Sequence, residues 1–235
     1  MGIKAVLFDL DGTLLPMDQD EFVRTYYKLL AVKLAPLGYE PQKLIDSLFV
    51  GVKAMIKNDG SKSNEDAFWD VFCEIHGENS VNHKPVLEEF YKNEFHQVQS
   101  RCGENADAKQ MVTDLRSRGK KVVLATSPLF PVVATKSRMS WVGLEPEDFD
   151  YVTTYENCRF TKPNPKYYEE LLKVIDCKPE ECLMVGNDVV DDMVTKEMGM
   201  QVFLLTDCLI NNTKEDISKY PHGNREDLKA YLITL

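Results

Sequence analysis

Apolar residues recur along this chain with two different periods. Ala5-Val6-Leu7-Phe8 is a short unbroken apolar run with no helical period, which predicts a strand buried on both faces. Similar runs occupy Lys121–Thr126, Tyr151–Thr154, Cys182–Gly186 and Gln201–Leu205. Between them, residues 106–118, 130–142, 165–176 and 189–199 carry helix-like spacing. Alternating buried strands and helices predict a parallel sheet covered on both faces.

Residues 17–100 break the alternation. Phe22, Tyr26, Leu29, Leu30 and Leu34 follow helical spacing. So do Leu44, Leu48, Val52 and Met55; Phe68, Val71, Phe72 and Ile75; and Val86, Leu87, Phe90 and Tyr91. About four helices are therefore predicted after the first strand. Asn58-Asp59-Gly60-Ser61 and Gly77-Glu78-Asn79 are turn signals between them. Ser63, with Asp66 three positions on, reads as a helix N-cap. The chain is thus read as an α/β core, residues 1–16 and 101–235, interrupted by a helical module at 17–100.

Composition narrows the partners. The 235 residues are 43% hydrophobic and 28% charged, with a formal net charge of −10. An acidic surface repels a phosphate backbone, so nucleic acid is not expected as a partner. The same repulsion means that an anionic substrate needs a cation or a local basic group. No apolar run approaches the roughly 20 residues that span a bilayer. The first strand begins too early to leave room for a signal peptide. Cys73, Cys102, Cys158, Cys177, Cys182 and Cys208 form no zinc-like spacing and read as reduced thiols of a cytoplasmic protein. His76, His83, His96 and His222 show no partner pattern.

Four clusters carry candidate chemistry, and each follows a core strand. In Asp9-Leu10-Asp11-Gly12-Thr13, two carboxylates at i and i+2 share one side of an extended segment, and Gly12 permits a tight turn. They suit a divalent cation, with one carboxylate free to act as a nucleophile; an ordinary Asp-Gly turn is the plainer alternative. Thr126-Ser127-Pro128 offers hydroxyls to a phosphate oxygen, or simple turn chemistry. In Thr161-Lys162-Pro163-Asn164-Pro165, prolines stiffen the backbone around Lys162. The lysine then offers a fixed positive charge to a carboxylate or phosphate, or is an exposed residue of a proline turn. Gly186-Asn187-Asp188-Val189-Val190-Asp191-Asp192 places acids at the start of the helix expected at 189–199. They either cap it or complete a magnesium site with Asp9 and Asp11. In a parallel sheet all these strand ends lie on one edge, where such folds bind ligands. Capping and turn chemistry do not predict that convergence.

With these residues in place, the sequence resembles the haloacid dehalogenase-like hydrolase superfamily over essentially its whole length. Asp9-Leu10-Asp11-Gly12-Thr13 resembles its first motif, Thr126 its second, Lys162 its third, and Gly186–Asp192 its fourth. The resemblance implies a Rossmann-like α/β core with an inserted α-helical cap. It implies that Asp9 is the nucleophile forming an aspartyl-phosphate and that Asp11 is the general acid and base. Thr126, Ser127 and Lys162 would hold the phosphoryl oxygens. Mg2+ would be held by Asp9, the Asp11 carbonyl and an acid of the fourth motif. That motif departs from the family pattern: Asn187 stands where an acid usually follows the glycine. Asp188, Asp192 and Asn187 are therefore all candidate ligands. Asp11 favours phosphoryl transfer over dehalogenation, because the dehalogenases lack this second aspartate.

The cap is expected to cover the site and exclude water, with Gly12–Pro16 on its hinge side and the stretch near 95–105 as the return link. Lys53, Lys57, Asn58 and Lys62 are placed to meet an anionic or polar substrate group, or to form a solvated helix face. Phe68 and Trp69 read as cap core. An enclosed site favours a small phosphorylated metabolite, with no nucleic acid or membrane partner; monomer and homodimer both remain open. The expected activity is Mg-dependent phosphomonoester hydrolysis. The alternatives are a sugar-phosphate mutase with the same aspartyl-phosphate chemistry and a non-catalytic binding protein on this fold.

Overall fold

In the computed structural model, which describes residues 2–235, strand β1 (Ala5–Phe8) lies at the centre of the sheet with all four side chains fully buried. It pairs in parallel with β2 (Lys121–Leu124) on one side and β4 (Cys182–Gly186) on the other. Ala5 stands opposite both Lys121 and Cys182, so the three strands end level with one another. β3 (Tyr151–Val152), β5 (Gln201–Leu205) and β6 (His222–Gly223) complete a six-stranded parallel sheet of order β3-β2-β1-β4-β5-β6. Every strand therefore delivers its C-terminal end to the same edge.

Alternation along β1 divides the core. Val6 and Phe8 face a large apolar cluster, and Ala5 and Leu7 a smaller one on the opposite side. The larger cluster takes in the helical insert and α5 (Ala108–Ser117), α6 (Val132–Ser140) and α8 (Arg225–Ile233). The smaller one is closed by α7 (Pro165–Val174) through Tyr167, Tyr168, Leu171 and Leu172.

Five α-helices stand between β1 and β2, and the first four make up the insert. These four are α1 (Gln19–Leu34), α2 (Pro41–Ile56), α3 (Asn64–His76) and α4 (Lys84–Lys92). The Asp18 side chain caps α1, Glu40 caps α2, and Ser63 caps α3 by accepting from the Asp66 N–H at 3.0 Å. Phe22, Tyr26, Leu30 and Leu34 form the buried stripe of α1 and join Phe90 and Phe95 in the main core. The two chain segments entering and leaving the insert run side by side. Met17 and Cys102 form an antiparallel bridge, Gly103 N–H donates to the Pro16 carbonyl (2.7 Å), and Asn105 Nδ2 donates to the Leu14 carbonyl (2.8 Å).

Two stretches differ from the sequence expectation. Residues 189–199 do not form an α-helix; they are a series of turns with a short 3-10 segment at Met193–Lys196. Local side-chain bonds compete with the helix there. Asp188 accepts from the Val190 and Asp191 amides, and Thr195 Oγ1 bonds the Asp192 carbonyl. The second difference lies beyond residue 205, where the sequence shows no strong period. β6 adds an edge to the sheet, and α8 begins with reciprocal capping between Asn224 and Asp227.

Candidate active site

The C-terminal edge of the sheet opens into a cleft of about 260 Å³. Asp9, Asp11, Thr126, Ser127, Lys162, Asn187, Asp188 and Asp192 all line it. Lys53, Lys57 and Asn58 do not. The two lysines are exposed near the end of α2, whose inward face carries Leu48 and Val52. Asn58 instead ties the α2–α3 turn, donating to the Lys62 carbonyl (2.9 Å) and Asn64 Oδ1 (3.0 Å).

Lys162 is the electrostatic centre of the cleft. Its Nζ donates to Asp9 Oδ1 at 2.8 Å and to Asp192 Oδ1 at 2.6 Å, and the three side chains are almost wholly buried. Burial alone would strip the ammonium of its proton, but Asp192 and Asp9 outweigh it and push its pKa well above the ordinary lysine value. Asp192 is fixed at both oxygens, because Oδ2 accepts the Asp188 N–H at 3.0 Å. A side chain on Gly186 could not coexist with it: a Cβ there would lie 2.0 Å from Asp192 Oδ2. This glycine lets the Asp192 carboxylate fold back toward Lys162.

Asp11 has a separate partner that sequence reasoning missed. Arg138, on α6 and fully buried, pairs through Nη1 with Asp11 Oδ2. The guanidinium also lies over the Phe130 ring, 4.4 Å from its centroid. Asp11 Oδ1 is buried and has no hydrogen-bond partner among the described residues. Burial raises the Asp11 pKa and the Arg138 charge opposes it. The available signal was an arginine in the buried stripe of α6, between Ala134 and Met139, where a charge needs a partner.

Asn187 positions loops. Its Oδ1 accepts from Thr13 Oγ1 at 3.0 Å, and its Nδ2 donates to the Cys208 carbonyl at 2.7 Å. Gly12, at φ +86°, lets the first loop approach this amide; a Cβ there would sit 2.3 Å from Asn187 Nδ2. The amide thereby joins the loops after β1, β4 and β5.

Besides Asp11, three carboxylates keep free oxygens. Among the described residues, nothing donates to the second oxygen of Asp9 or of Asp188, or to either oxygen of Asp191. Burial pushes Asp191 up to about 6; Lys162 opposes the shift, while Asp188 and Asp9 add to it. Sequence patterning does not single out Asp191, since three aspartates within five positions are hard to tell apart. Among the described residues no three acidic, histidine or cysteine side chains are gathered tightly enough to hold a metal unaided. Hard oxygen donors in small number, with room for water and a phosphate, nevertheless fit Mg2+. Thr126 offers a hydroxyl that takes no protein partner among the described residues. Its carbonyl is held by Thr153 Oγ1 (2.7 Å) and the Tyr167 hydroxyl (3.0 Å).

Residues 3–206 match the family model described as haloacid dehalogenase-like hydrolase. The chain belongs to this family of hydrolases. Among curated relatives it is 27% identical over 188 residues to the pyrophosphatase PpaX of Bacillus thuringiensis, covering 80% of this chain and 76% of that protein. Among solved structures it resembles a haloacid dehalogenase-like phosphatase from Thermococcus onnurineus, with a TM-score of 0.60 and 19% identity, covering 99% of this chain and 98% of the other. It also resembles the family hydrolase YfnB from Bacillus subtilis, with a TM-score of 0.55 and 13% identity over 99% of both chains. The YfnB structure is bound to magnesium and reveals interdomain movement. Among the described residues no helix is long and apolar enough to cross a membrane.

Proposed function

We propose that this protein is a magnesium-dependent phosphomonoester hydrolase of small phosphorylated metabolites, working through an aspartyl-phosphate on Asp9. The observation that carries this reading is the Lys162 bridge. It holds Asp9 in place at the end of the central strand, in the same cleft as an Arg138-held Asp11 and the free oxygens of Asp188 and Asp191.

In this mechanism the phosphoryl group sits against Thr126, Ser127 and Lys162. An Asp9 oxygen attacks phosphorus, the bond to the leaving oxygen breaks, and Asp11 delivers a proton to that oxygen. Asp11 then accepts a proton from the water that attacks the phosphoryl group, and the bond to Asp9 breaks to release inorganic phosphate. Asp9, Asp188 and Asp191 would hold Mg2+, which offsets the repulsion between carboxylates and the phosphate dianion. Asp192 is better suited to anchoring Lys162 than to metal binding, since both its oxygens are engaged. The helices at 17–100 act as a cap over the core formed by 1–16 and 101–235 and exclude water when closed.

Release of inorganic phosphate from a panel of small phosphomonoesters, with Mg2+ and with chelator, tests the reading. Mg-dependent release that disappears in a folded Asp9→Asn variant is expected. Release that persists in Asp9→Asn would refute the aspartyl-phosphate route.

A further inference from the structure

Beside the acid cleft lies a second, larger cavity of about 500 Å³. The two share Val23, Leu129 and Phe130 among their lining residues, so the cavity borders the cleft in which a phosphate would lie. The cavity wall is aromatic and aliphatic, with Tyr26, Phe68, Trp69, Tyr91 and Tyr155 facing it from the insert and the core. Its polar atoms are largely spent on each other. The Tyr26 and Tyr91 hydroxyls bond at 2.8 Å, and Trp69 Nε1 donates to the Tyr155 hydroxyl at 3.4 Å. Three lysines (Lys84, Lys92, Lys136) are matched by three glutamates (Glu65, Glu88, Glu156). Lys84 is already paired with Glu65 at 2.8 Å. Such a wall offers no excess positive charge to a second phosphate or a carboxylate. It does offer flat apolar faces to an uncharged ring.

We propose that this cavity binds the leaving group, and that the preferred substrates are phosphomonoesters carrying an uncharged aromatic group of one or two rings. The inference rests on the phosphatase reading for its chemistry, but its binding half can be tested without turnover.

In a series of 2-arylethyl phosphates the alcohol keeps nearly constant acidity while the ring grows, so the effect of the cavity is isolated from that of the leaving group. With the full chain and Mg2+, kcat/KM for 2-(naphthyl)ethyl phosphate should exceed that for ethyl phosphate and phosphoglycolate by at least about tenfold, a modest share of what burying a bicyclic ring provides. Val52 lies on the cavity wall from α2, and Val52→Trp narrows it. The naphthyl-to-ethyl ratio should then fall by about tenfold or more, mainly through KM. Equal rates across the series, or a Val52→Trp effect that is the same for both esters, would overturn the proposal while leaving the phosphatase reading intact. If no ester is hydrolysed, that reading fails on its own. Calorimetric binding of 2-(naphthyl)ethyl phosphate to Asp9→Asn, and its loss in Asp9→Asn/Val52→Trp, then decides the cavity separately. Failure of the naphthyl ester to bind Asp9→Asn would overturn the cavity assignment.

Discussion

In the acid cleft nearly every ionisable side chain comes from a loop that follows a strand. In the neighbouring cavity most of the wall comes from helix faces, contributed by segments far apart in the chain. The cleft holds buried charges in fixed pairs, Lys162 with Asp9 and Asp192, Arg138 with Asp11. The cavity wall holds stacked and edge-on rings, such as Tyr26 with Tyr91 and Tyr26 with Phe130. A charge pair tolerates almost no displacement, whereas an aromatic wall can exchange one ring for another at modest cost. On the proposed reading the reaction and the choice of substrate fall to two regions, which meet at Val23, Leu129 and Phe130.

The sharpest way to break this contrast is at the charge pairs. Lys162→Met leaves two adjacent buried carboxylates uncompensated and should cost about 3–5 kcal/mol of stability in urea unfolding. Lys162→Met/Asp192→Asn should recover part of that loss; a double variant no more stable than the single one would mean that the bridge is not what Lys162 contributes. Next in size is Arg138→Met, expected to lower kcat/KM by about 100-fold on alkyl phosphates, the scale of a misplaced general acid. Arg138→Lys should retain more activity, and identical losses in both would argue that Arg138 serves packing alone.

The smallest effect concerns Asp191 and has an unusual sign. Its folded pKa, about 6, lies above that of an unfolded aspartate, about 4. Between those values the folded chain keeps a proton that the unfolded chain has lost, so stability falls as pH rises through this window and stays lower above it. Metal-free Asp191→Asn should therefore melt higher than the parent protein at pH 7.5, by at most about 1–3 kcal/mol, with the gap closing near pH 4. Added Mg2+ should raise the melting temperature of the parent more than that of the variant. A destabilised Asp191→Asn in chelator would show that this carboxylate already has a partner.

The same contrast governs what is legible in the sequence. The strands of the cleft can be read because a doubly buried parallel strand is an unbroken apolar run, and a residue type at its end fixes a position in space. Asp9, Asp11, Thr126 and Lys162 are thus placed together by chain position alone. Arg138 is not, because its meaning depends on a partner 127 positions away. The helix expected at 189–199 fails because apolar spacing does not register Asp188 and Thr195 bonding the backbone locally. The aromatic cavity is hidden for a related reason. Phe68 and Trp69 read as core, and whether a ring fills space or borders it depends on how five helices and two core loops come together.

The paired linkers at the base of the insert have a mechanical consequence. Met17 bridged to Cys102, Pro16 to Gly103 and Leu14 to Asn105 make entry and exit a single stalk. That stalk runs directly into the turn in which Gly12 N–H donates to the Leu15 carbonyl at 2.7 Å, one residue after Asp11. Asp9, by contrast, is anchored to the sheet through its amide bond to the Val185 carbonyl at 2.9 Å. On the proposed mechanism, movement of the helices would reach the loop of the proton donor Asp11 before the nucleophile Asp9. A molecule that seats the insert badly would still meet a competent attacking group, but its departing oxygen would find the acid out of alignment. Discrimination would then be exercised at bond cleavage as well as in binding.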